Sequence, residues 1–323
     1  MLNSNKIQKL REKIYTTLDP MINSDYCLLD FPNYKNIGDN LIWAGELQFL
    51  SRFKYNCNYS CCLQHFDKSK IKDSDLILMQ GGGNFGDLYR KIQLFRLEIV
   101  QKFPNNKIII FPQTVYYEDL NLLKKDSEIL NMHTNLTVCV RDNKSMEILK
   151  KYLFNAEIFL VPDMAFCLDF EKHLKEPNKN KKQLFFKRVD KELAPNDYLT
   201  KIKNNDNLEI HDWPTFERNL LLSIFYKLES KIAKEFFKIP FLRNFIDPKT
   251  GFKNNNILNN YIHQGLELIN VYDEIYTTRL HGLILAILLN KKVFLFDNTY
   301  GKNKSFYETW LTDFENVFLI NNN

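Results

Sequence analysis

The run Asp75-Leu76-Ile77-Leu78-Met79-Gln80 passes without a break into Gly81-Gly82-Gly83-Asn84-Phe85-Gly86-Asp87. Apolar residues bounded by polar ones and then by glycines read as a short buried strand that stops abruptly. The next stretch, Asp87 to Lys102, carries apolar residues at helical spacing, so strand, glycine run and helix make the opening of a βα unit. Working outward, the same alternation recurs. Asp25 to Phe31, Lys107 to Phe111, Leu136 to Arg141 and Glu157 to Val161 read as strands, with helices over Asn40 to Phe53 and Asn143 to Tyr152. The second half continues with strands near Gln183 to Lys187, Leu208 to His211, Glu274 to Thr277, Lys292 to Phe296 and Asn316 to Ile320. Strands alternating with helical patterns predict an α/β fold built on parallel sheets.

At 323 residues the chain is long for one domain and comfortable for two. The Lys/Asn-rich segment Glu171 to Lys182 is the expected boundary, giving Rossmann-like domains over 1–175 and 176–323 with a central cleft between them. In such folds ligands sit beyond the carboxyl ends of the strands, so chemistry is sought in the residues that follow each strand. The net charge of +5 suits an anionic small substrate or occasional contact with an anionic membrane face, and falls short of a dedicated nucleic-acid binder. The six cysteines form no CxxC pair, and the sequence suggests no metal site. No signal-peptide core or membrane-length apolar run is visible, so a cytoplasmic protein is expected. One segment breaks the rhythm. Residues 215–253 place Lys227, Lys231, Lys234 and Lys238 among apolar residues at helical spacing. They read either as a core helix with a packed loop, or as a basic amphipathic face resting on the inner membrane or a partner.

The strand ends hold the candidate chemistry. Asn36-Ile37-Gly38-Asp39-Asn40 follows the first strand, and Asp39 or Asn40 is placed to cap the next helix, or to serve a site. Gly81, Gly82, Gly83 and Asn84 read as a loop whose backbone N–H groups approach an anion at a helix start. Gly81, Gly83 and Gly86 satisfy GxGxxG, but no acidic residue ends the following strand, which argues against a dinucleotide. Arg141 and Arg188 each follow a strand where a guanidinium could grip a carboxylate or phosphate, and Asp163 and Asp87 bring carboxylates to other strand ends. In Thr277-Thr278-Arg279-Leu280-His281-Gly282 a guanidinium, an imidazole and the N–H groups of a starting helix converge, a combination suited to a multiply charged anion.

Taken in order, Asn-Ile-Gly-Asp-Asn at 36–40, Gly-Gly-Gly-Asn-Phe-Gly-Asp at 81–87, Val-Arg-Asp at 140–142, Val-Pro-Asp at 161–163, Lys-Arg-Val-Asp-Lys-Glu at 187–192 and Thr-Thr-Arg-Leu-His-Gly at 277–282 resemble the polysaccharide pyruvyltransferase family. The resemblance spans roughly residues 26–298 and implies a two-domain fold similar to GT-B glycosyltransferases. It also implies phosphoenolpyruvate as co-substrate, with no cofactor or metal, and a glycan or lipid-linked sugar as acceptor. Carried across, Arg188, Arg279 and His281 are implicated in donor binding; the reading of the strand ends adds Arg141, Gly81, Gly82, Gly83, Asn84 and Gly282 as further substrate contacts. His281 could act as acid, and Asp39, Asp87 or Asp163 as base. Residues 215–253 depart from common members, which leaves the acceptor open. A GT-B glycosyltransferase using a nucleotide sugar is the competing class, and a non-catalytic module of a glycan-assembly complex is a third.

Overall fold

Parallel pairing of short apolar runs organises the computed structural model, which describes residues 3–174, 182–195, 198, 202, 207–217 and 255–320. The first sheet uses β1 (Tyr26–Leu29), β2 (Cys57–Cys61), β3 (Leu76–Met79), β4 (Gly82–Gly86), β5 (Ile108–Tyr116), β6 (Leu136–Val140) and β7 (Glu157–Leu160). Their order is β2-β1-β3-β5-β6-β7, with β4 added on β5. The second sheet uses β8 (Gln183–Phe186), β9 (Leu208–His211), β10 (Glu274–Thr277), β11 (Lys292–Phe296) and β12 (Val317–Ile320), in the order β12-β11-β10-β8-β9. Every strand pairing is parallel, which requires a crossover between successive strands. Helices α1 (Ser4–Leu18), α2 (Ile37–Leu50), α3 (Arg90–Lys102), α4 (Leu120–Asn131) and α5 (Asn143–Tyr152) belong to the first half, and α6 (Asn255–Asn270), α7 (Leu280–Leu288) and α8 (Lys302–Trp310) to the second. The α/β expectation with parallel sheets therefore holds.

Two details depart from the sequence reading. The glycine run is not a loop before a helix: Gly82 to Gly86 is strand β4, and α3 starts only at Arg90. The reason lies in β5, which continues through Pro112 instead of ending at Phe111. A proline has no N–H to give the ladder, and the register of β5 against β6 shifts between Ile110 and Gln113. Before the proline β5 pairs with β3, and after it with β4. The strand β2 has no counterpart in the sequence reading, because only Tyr59 and Cys61 of its five residues are buried and its apolar signal is faint.

The passage from β7 to β8 includes residues 175–181, which lie outside the described residues, as do 218–254, most of the Lys-rich segment 215–253. The interior does not divide where the sheets do. One apolar cluster includes Phe111 and Phe166 on the side of the first sheet and Phe186, Leu283 and Leu295 on the side of the second. Helix α2 carries it across, burying Ile37, Leu41, Trp43 and Phe49 while packing on α6 and α7.

Candidate active site

In an open parallel sheet, the strands at which the order reverses send their following loops to opposite sides, and a crevice opens between them. The first sheet reverses between β1 and β3, the second between β8 and β10. A cavity of about 380 Å³ lies among the residues that follow these strands: Asp39 beyond β1, Gly83 and Asn84 beyond β3, Arg188 beyond β8, and Arg279 and His281 beyond β10. Arg141, from the end of β6, and Lys302, from the start of α8, complete a cationic wall.

Each cation is oriented by a carboxylate. Arg279 donates to Asp212 through Nε and, at 2.6 Å, through Nη2. Arg188 holds Asp190 through Nε at 2.6 Å and Nη2 at 3.0 Å, and reaches Glu192 through Nη1 at 2.9 Å. The Nζ of Lys302 lies 2.6 Å from the same Glu192 oxygen, which also accepts from the Tyr300 hydroxyl. Such forked pairs fix the guanidinium planes before any ligand arrives. Among the described residues, neither Arg141 Nη2 nor Arg279 Nη1 donates to a protein acceptor, so each guanidinium keeps an edge for an anion. A Cβ on Gly83 would stand 3.0 Å from Arg141 Nη2 and 3.6 Å from Lys302 Nζ, so the glycine leaves the space between two cations open. Burial lowers the Lys302 ammonium, as do the neighbouring Arg188 and Arg141, while Glu192 opposes them.

His281 sits in the first turn of α7 with Nε2 3.3 Å from Asp163 Oδ2. Asp163 also accepts from Arg141 Nη1 at 2.5 Å and from the Ala165 N–H at 2.9 Å. Burial pushes this carboxyl up, but His281, Arg141 and the hydrogen bonds outweigh burial and hold it below the usual carboxylate range. It is therefore ionised and committed, the state required to orient an imidazole. On the other side, a Cβ on Gly38 would stand 2.6 Å from His281 Nδ1, so helix α2 leaves that nitrogen room only because residue 38 has no side chain. The Trp310 indole donates to the Arg141 carbonyl at 2.8 Å, tying α8 to the strand end that carries Arg141.

The structure thus gathers Asp39, Gly83, Asn84, Arg141, Arg188, Arg279 and His281 around one cavity, with Asp163 behind His281. The remaining candidates have other employment. The Gly81 N–H donates to Glu46 at 2.8 Å, and Gly82 faces Ile42 with φ +138°. Gly282 lets α7 approach Phe186, where a Cβ would stand 2.3 Å from the ring. Asp87 accepts the N–H groups of Glu118 and Asp119 at 2.8 Å each. The cap of α2 is Asn36, whose side chain accepts from Gly38 N–H, not Asp39 or Asn40; Asn36 then donates to Asp39 at 2.7 Å. Sequence reasoning passed over Lys302, Glu192, Asp190, Asp212 and Tyr89. Asp212 carried a usable signal, being the first residue after β9, whereas Lys302 follows a turn with no pattern to mark it.

Residues 36–300 match the family described as polysaccharide pyruvyl transferase, which covers most of the chain and all of the cavity wall except Tyr34 and Lys302. The chain belongs to that family. It is 31% identical to a Bacillus subtilis (strain 168) protein named "Putative pyruvyl transferase EpsO", over 96% of this chain and 93% of that one. It is 26% identical to Pyruvyl transferase 1 of Schizosaccharomyces pombe, over 88% of this chain and 69% of the relative. In fold it resembles the crystal structure of an uncharacterized protein from Klebsiella pneumoniae, with a TM-score of 0.60 and 23% identity over 97% and 98% of the two chains. This pyruvyl transferase family member carries no helix, among the described residues, long and apolar enough to cross a membrane.

Proposed function

We propose that the protein transfers the pyruvyl group of phosphoenolpyruvate to a sugar of a surface polysaccharide or its lipid-linked precursor, forming a ketal. The observation that carries this reading is the convergence of Arg141, Arg188, Arg279 and Lys302 on the cavity that also holds the Asp163–His281 pair. Phosphoenolpyruvate has a phosphate and a carboxylate on one small carbon frame, and the open edges of Arg141 and Arg279 suit two such groups. In the reaction, the enol methylene gains a proton and C2 takes on oxocarbenium character. One sugar hydroxyl attacks C2 and loses its proton, phosphate departs with the C2–O electron pair, and a second hydroxyl closes the ketal, its proton passing to the departing phosphate. His281, steadied by Asp163, is placed to deliver the first proton; Asp39, at the cavity wall, is the carboxylate best placed to receive a hydroxyl proton. The cationic wall stabilises phosphate as it leaves. No resident cofactor enters this scheme. We further read the two sheets as Rossmann-like domains in a GT-B-like arrangement, in a cytoplasmic enzyme working at the inner face of the membrane that holds its acceptor.

The test is the thermal midpoint with phosphoenolpyruvate, repeated for Arg279→Ala. A ligand at 100 times its Kd that binds only the native state adds about 2.7 kcal/mol, a rise of a few degrees for a chain of this size. The rise should be absent in the variant. A rise only with nucleotide sugars would refute the proposal and favour a glycosyltransferase.

A further inference from the structure

A second cavity, of about 400 Å³, adjoins the first and shares Tyr34, Tyr89 and Ile92 with it along their border. Its floor is Asp30, the first residue beyond β1 and thus also at the reversal of the first sheet. Asp30 has φ +73°, a left-handed conformation that side-chain-bearing residues seldom adopt and that tends to persist where surroundings impose it. The residue is 6% exposed, and its side chain makes no hydrogen bond among the described residues. Buried carboxylates are ordinarily paired, and an unpaired one facing a cavity is short of a donor. The nearby buried cation, Arg96, does not supply it, since its hydrogen bonds go to Gln93 and Asn84. Burial pushes the Asp30 carboxyl up to about 7 against the pull of Arg96, with Asp39 adding to the rise.

The rest of the wall indicates what would donate. Phe31, Tyr34 and Tyr89 present ring surface, and Gln64 adds an amide. Arg90 is neutralised by Asp126, which accepts from both its terminal nitrogens. An anion would meet the Asp30 carboxyl, and an amine would meet the Lys91 ammonium at the rim. A neutral polyol avoids both conflicts: hydroxyls donate to Asp30 while the C–H faces of a sugar ring lie on the aromatic side chains. We infer that this second cavity is the acceptor subsite, in which Asp30 accepts a hydrogen bond from a hydroxyl at the far end of a neutral sugar, whose reacting hydroxyls extend past Tyr34 and Tyr89 toward Asp39 and the donor. The inference rests on the proposed transfer to a sugar and gives that sugar a seat.

Saturation-transfer NMR with a panel of methyl hexopyranosides tests it on the full chain, with phosphoenolpyruvate binding measured in parallel. The variants are Asp30→Asn, which keeps the size and tolerates a left-handed backbone, and Leu88→Trp, which fills the cavity from its wall. At least one glycoside should bind the native protein. At pH 8, where the Asp30 carboxyl is ionised, Asp30→Asn should weaken it about tenfold, as expected when a charged acceptor becomes neutral, Leu88→Trp should abolish it, and both variants should still bind phosphoenolpyruvate. Glycoside binding that survives both substitutions, or no glycoside binding to the native protein, overturns the subsite. Loss of glycoside binding in the variants with no phosphoenolpyruvate binding to any form would support the subsite and sink the donor assignment alone.

Discussion

His281 is held between a carboxylate that fixes one ring nitrogen and a glycine that gives the other room. If it supplies the proton to the enol, His281→Ala should lower kcat by at least about 10²-fold, the ordinary contribution of a placed acid. Turnover near that of the native protein would remove it from the chemistry. Asp163→Asn should also lower kcat while leaving a folded chain, because the amide keeps the size but not the charge that orients the imidazole and Arg141. Asp30 gives a separate prediction about stability. Its carboxyl is raised to about 7 in the fold by burial, with Arg96 opposing and Asp39 adding, against about 3.9 in an unfolded chain. Between those values the native state binds more protons than the unfolded one, so Asp30 makes stability fall as pH rises. Asp30→Asn removes that slope. The variant should match the native protein near pH 4 and exceed it by up to a few kcal/mol above about pH 7. Urea unfolding at both ends of that range checks it, and equal offsets at the two pH values would contradict it.

Strand ends were the legible part of this sequence, because an apolar run that stops at an arginine, a glycine or an aspartate is a local pattern. That rule brought Arg141, Arg188 and Arg279 to one cavity from separate places in the chain. It failed where a partner strand decides the outcome. Gly82 to Gly86 has almost no strand propensity, yet it becomes β4 because β5 continues past Pro112 and offers an edge. The carboxylates that orient the cations were equally hard to read, since Asp212 meets Arg279 only where the ends of β9 and β10 are brought together on either side of β8 in the folded sheet. Gly282 marks a junction between element and site. It was read as a ligand contact, and the structure uses it to seat α7 against β8, with the Phe186 ring where a Cβ would go. Gly282→Ala should therefore cost about 1–3 kcal/mol through overpacking, and it should also weaken phosphoenolpyruvate binding, because α7 carries His281 and follows Arg279. A variant that binds the donor normally after losing that stability would separate the helix seat from the site.

The alternation of strands and helices foretold parallel sheets, but nothing in that pattern signalled that the interior would ignore the division between them. The apolar cluster joins Trp43 and Phe111 to Leu283, Ile284 and Leu295, and the residues that line the cavity come from both sheets. A cleft between independently stable halves would allow each to melt alone. Here the same side chains that seal the second sheet also cover α2, so loosening one face exposes the other. Ile284 is fully buried in that shared cluster. Ile284→Ala should cost about 2–5 kcal/mol, the usual range for removing such a side chain from a packed interior. The loss should appear in a single calorimetric transition, and amide protection in β3 and β5 should fall together with that in β10, although residue 284 belongs to neither sheet of strands. Protection in β3 that stays at its native level while β10 opens would mean that the halves are energetically separate. The arginines that meet at the cavity would then be aligned by the ligand, not by the core beneath them.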